Sequence, residues 1–190
     1  MKKTLFILIA IVFTSCSSTD EDSYYQRNIK LNVNNYIKVY TQNSYNVGDK
    51  LFIESRFNKL QDEPGYSNKL DIFKTTNTRQ YGFYISLEKK VFNGNWTTIN
   101  LNNTDFESGG LGNYNFNNAI CELNQSNTFY EFYKGLILQE SGQYRLTISS
   151  IIDPFYTNNY YSYSGGNNIL VSFFTTIENV PGNSYQFTVN

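Results

Sequence analysis

The chain has 190 residues with 15 basic and 16 acidic side chains, two cysteines and no histidine. The near-neutral balance, with nothing basic clustered, argues against nucleic acid as a partner. The lack of histidine excludes Ser-His-Asp and Cys-His nucleophile systems, histidine metal sites and the usual proton shuttle near pH 7. In chain order, the first element is Lys2-Lys3, an apolar run from Leu5 to Phe13, and then Thr14-Ser15-Cys16. A charged start, a short apolar core and small residues predict a secretory signal peptide over residues 1–15. The run is shorter than the ~20 apolar residues that cross a bilayer.

Phe13-Thr14-Ser15-Cys16 resembles the lipobox of bacterial lipoproteins. The resemblance implies that the Cys16 thiol is diacylated and becomes the first residue of the mature protein. Two chains anchor stably where one holds marginally, at ~0.8 kcal/mol per buried methylene. Cleavage leaves 13 basic against 16 acidic residues. The next stretch, Ser17 to Ser23, carries Asp20, Glu21 and Asp22 and resembles the acidic export signals of surface lipoproteins of the Bacteroidota. That likeness implies an outer-membrane protein facing the cell exterior, held to the membrane through lipid on Cys16. The same polar composition suits a flexible tether, placed at residues 16–34, with residues 35–190 as one folded domain.

Beyond the tether the apolar period is two, which predicts half-buried strands. Tyr81, Phe83, Ile85 and Leu87 share one face, as do Tyr144, Leu146 and Ile148. Further strands are expected at Tyr36–Thr41, Lys50–Phe57, Lys69–Thr75, Trp96–Leu101, Phe129–Tyr133, Ile169–Thr176 and Tyr185–Val189. Turn signals separate them, with Asn93-Gly94 the best hairpin. No window shows a capped 3.6 period, so the fold class is all-β. Cys121 reads as a small buried hydrophobe.

Glu140-Ser141-Gly142-Gln143-Tyr144-Arg145-Leu146 resembles the start of strand F in immunoglobulin-like domains, where a tyrosine hydroxyl ties back to the backbone. Leu146 stands in place of the cysteine. Gly48 to Ser55 resembles the turn and first half of strand B, with Ser55 in place of the partner cysteine. The resemblance implies a single disulfide-free immunoglobulin-like β-sandwich. It also implies that the segment after Asp153-Pro154 is the F–G loop, at the end of the sandwich that holds the B–C loop and the N-terminus.

That segment, Phe155 to Ser164, is dense in tyrosine. Tyr160, Tyr161 and Tyr163, with Asn158 and Asn159, are the candidate ligand-binding residues, since flat rings beside amide donors suit sugar faces or protein partners. No catalytic residue, metal or cofactor is implied. Asp71, Glu88, Asp105, Glu107, Glu122, Glu131 and Asp153 could supply a glycosidase pair only if two stood ~5–9.5 Å apart in a cleft. Asp105 and Glu107 with Asn113, Asn115 and Asn117 lack a calcium-loop pattern, and Gly109-Gly110-Leu111-Gly112 reads as a mobile loop. The function expected is a non-enzymatic binding or interaction module of the outer membrane, with a glycan or an envelope protein as partner. The alternatives are a glycan-binding accessory of a nutrient-uptake system and a histidine-free glycosidase.

Overall fold

A computed structural model describes residues 27–155 and 169–190. Cys16, Asp20, Glu21, Asp22, Asn158, Asn159, Tyr160, Tyr161 and Tyr163 lie outside the described residues. The chain is all-β. It begins with β1 (Arg27–Val39) and β2 (Lys50–Asn58), then a small hairpin of β3 (Leu60–Gln61) and β4 (Leu70–Asp71), and one helical turn, α1 (Ile72–Thr76). Next come β5 (Gln80–Lys90), β6 (Trp96–Ile99), β7 (Asn113–Asn115), β8 (Asn118–Leu123) and β9 (Phe129–Ile137). The last elements are β10 (Gly142–Ile148), β11 (Ile151–Pro154), β12 (Ile169–Glu178) and β13 (Ser184–Val189).

Seven strands close into a barrel in the order β5-β11-β12-β1-β2-β9-β8 and back to β5, whereas the sequence reading expected two separate sheets. Two pairings make the closure. β1 runs parallel to β12 before pairing antiparallel with β2, and β8 pairs the first half of β5. The second half of β5 leaves the barrel to pair β10 and β6, and β13 extends that sheet beyond β10. β10 and β11 both run antiparallel along β5, separated by Ser149 and Ser150, so they act as one interrupted strand.

Alternation puts one face of each strand inside. Leu51, Ile53, Ser55 and Phe57 of β2 and Tyr144, Leu146 and Ile148 of β10 are all buried. Phe57 sits at the middle of the largest ring cluster, with centroids 4.9 Å from Phe173, 5.2 Å from Tyr130, 5.5 Å from Tyr36 and 5.7 Å from Tyr81. Buried rings at these separations add to their area burial. Cys121 is fully buried, and burial pushes its thiol up to about 12, against the lesser effect of the Ser55 hydroxyl beside it. Tyr144 is buried and its hydroxyl donates to the Glu140 carbonyl at 2.8 Å, the tie expected from the Gly-x-Tyr segment.

Three local expectations change. The tether was extended to residue 34, but residues 27–34 belong to β1, where Ile29 and Leu31 alternate into the core between polar neighbours. The strand expected over Lys69–Thr75 is β4 followed by α1. Asp71 caps the helix by accepting from the Lys74 N–H at 3.1 Å, and Asn77 ends it in the left-handed region, so the caps outweigh the β-branched threonines. The glycine-rich segment is pinned to the free edge of β9. Leu111 and Tyr133 exchange backbone hydrogen bonds, and Lys134 Nζ donates to the Gly109 carbonyl at 3.1 Å. At Gly110, with φ +93, a Cβ would fall 2.2 Å from the Tyr133 carbonyl oxygen, so only glycine lets the segment approach this closely.

Replacing Tyr144 by Phe deletes the buried hydrogen bond and leaves the ring stacked on Phe187. The expected loss is on the order of 1 kcal/mol in urea unfolding, with no change in the slope of the transition.

Candidate functional site

The rings around Phe57 pack inside the barrel. Several clefts are lined by described residues. One, with a volume of about 460 Å³, opens at the mouth where β5 begins, and is lined by Thr78, Arg79, Gln80, Glu122, Leu123 and Phe155. Three strands assemble it through register. Gln80 on β5 stands directly opposite Glu122 on β8, and the Phe155 N–H, one residue past β11, donates to the Gln80 carbonyl at 2.9 Å.

Each lining side chain is held in place by local contacts. Phe155 lies against Gly82, where a Cβ would meet the ring at 3.0 Å. Glu122 accepts at Oε1 from Asn113 Nδ2 at 2.6 Å and Gln80 Nε2 at 3.2 Å. Arg79 is exposed. Its guanidinium lies 5.6 Å from the Phe73 ring centroid and its Nη2 is 3.4 Å from Asn127 Oδ1. The site therefore brings a cation, a carboxylate, an amide and an aromatic ring to one depression.

This mouth is the N-terminal end of the barrel. Arg27 stands opposite Ile169 in the parallel register and pairs with Glu63, in the connection between β3 and β4, at 2.7 Å. Phe155, the last described residue after β11, borders the cleft, and the tyrosines expected to bind ligand follow it in sequence, outside the described residues. The local sequence around Arg79 and Glu122 carried no signal for this site, since the lining is brought together only by strand pairing.

The carboxylates considered for catalysis have other partners. Glu88 pairs with Arg145 at 2.7 Å, Glu107 with Lys50 at 2.9 Å, Glu131 with Arg56 at 2.9 Å and Asp71 with Lys59 at 3.1 Å. Asp105 closes a capping box with Asn102. The donors considered for calcium also diverge: Asn113 turns to Glu122, and Asn117 accepts from the Tyr114 hydroxyl at 3.4 Å. Glu122 and Glu131 are cross-strand neighbours. Outside the barrel, Phe52 and Tyr133 stack on each other at 5.4 Å and Tyr40 meets Tyr133 edge-on, so these exposed rings do not form a flat platform.

No known protein family, characterised protein or solved structure matches the chain.

Lys50 and the Gly135 N–H hold the Glu107 carboxyl below the ordinary glutamate value of 4.5, and Arg145 does the same for Glu88. A lowered folded value means that each contribution is fully present above the unfolded value and lost as pH falls through the folded one. Glu107→Gln should lower stability at pH 7 by about 1 kcal/mol or less. It should also flatten the decline measured by thermal unfolding as pH falls below 4.5.

Proposed function

We propose that this chain is a lipid-anchored, exterior-facing binding module of the outer membrane, carried on an immunoglobulin-like sandwich. The observation that carries the anchoring is the signal segment ending at Cys16. The fold reading is supported by strand order. β1-β2-β9-β8 follow the A-B-E-D order of one immunoglobulin sheet, and β5, the pair β10 and β11, and the pair β12 and β13 follow C-F-G of the other. The corner hydrogen bond of Tyr144 falls at the E–F position in that scheme, and Ser55 and Leu146, in place of the bridging cysteines, are both buried.

The observation that supports binding is the mouth cleft, in which a ring, a cation and hydroxyl acceptors converge. The mixture favours a sugar over an apolar ligand, because a saccharide presents a C–H face to stack and hydroxyls to bond. Catalysis finds less support, since Asp71, Glu88, Glu107 and Glu131 are engaged in ion pairs and Asp105 in a cap, which leaves Glu122 as the carboxylate lining the cleft. The cleft faces the anchor side, so the ligand would be met close to the membrane.

Radiolabelled palmitate should enter the wild-type protein and fail to enter Cys16→Ala; equal labelling of the two would remove the anchoring claim. Alanine at Asp20, Glu21 and Asp22 together should keep the protein in the membrane fraction while protecting the domain from protease added to whole cells. Unchanged protease sensitivity would reduce the acidic run to a plain tether.

A further inference from the structure

We propose that the mouth cleft takes an acidic saccharide, with the Arg79 guanidinium receiving the sugar's carboxylate; this rests on the glycan reading of the site. The chain has four arginines. Arg27, Arg56 and Arg145 each hold a carboxylate at 2.7 to 2.9 Å. Arg79 meets no carboxylate among the described residues, although it is exposed beside a cleft and its plane is steadied by Phe73 and Asn127. An oriented guanidinium left without an anion presents a fork that matches a carboxylate with two parallel hydrogen bonds.

The neighbours narrow the class. Glu122 has both amide donors on Oε1, which leaves Oε2 to accept from a hydroxyl. Phe155, half-buried in the lining, supplies an apolar ring for the C–H side of a sugar to pack against. A doubly charged phosphate would meet one cation and be repelled by Glu122, whereas a singly charged carboxylate is balanced by Arg79 alone. A uronic acid unit supplies one carboxylate, several hydroxyls and an apolar face on one ring, and so satisfies all three groups together.

The test is calorimetry on the full-length chain in detergent, titrated with oligosaccharides of galacturonate, glucuronate and mannuronate and with the methyl ester of each. Esterification removes the charge and keeps the sugar. At least one acid should bind, its ester about tenfold more weakly or worse. Arg79→Gln should lose the same factor for the acid, keep its affinity for the ester and keep its melting temperature. Phe155→Ala should weaken acid and ester alike. If acid and ester bind equally and Arg79→Gln changes neither, the acidic specificity is overturned while the glycan reading stands. If no acid and no ester binds at millimolar concentration, both readings are overturned.

Discussion

Phe57 touches rings from four other strands, and the architecture depends on that contact. Tyr36 comes from β1, Tyr81 from β5, Tyr130 from β9 and Phe173 from β12, so with Phe57 on β2 a single cluster joins five of the seven barrel strands. The cluster fixes the barrel's girth, because large rings at van der Waals contact leave no slack for the wall to collapse or widen. It also fills the space between these five strands with side chains of the chain itself, as small barrels do.

The same cluster reaches the mouth through one polar atom. Tyr130 is fully buried, and its hydroxyl donates to the Thr78 carbonyl at 2.7 Å. A buried hydroxyl without a partner would be costly, so this bond is strongly favoured and holds the chain where it enters β5. Arg79 and Gln80 follow immediately. The position of the cleft's cation is therefore tied to the core by a single residue step.

Much of the fold is legible in the sequence because half-buried strands impose a period of two. β2, β5 and β10 alternate cleanly, and Gly-x-Tyr announces the corner at Tyr144. The failures have physical causes. Asn28, Lys30 and Asn32 gave the start of β1 a tether-like composition, although Ile29 and Leu31 between them carry the strand period. β8 was hidden because Ala119, Ile120 and Cys121 are all buried in succession, which erases alternation. The cleft was illegible for a different reason. Arg79, Glu122 and Phe155 are far apart in sequence and meet only through the register of β5 with β8 and β11, whereas the tyrosine-rich stretch advertised itself by composition alone.

The parallel pairing of β1 with β12 has a mechanical side. Seven residue pairs run in one register from Arg27 to Val33, and two more, at Ile37 and Lys38, follow a register shift. A force applied at Arg27 along the strand loads these pairs together in shear, where a hairpin pulled from its open end would peel one pair at a time. A strand held this way resists a pull along its own axis in its strongest direction.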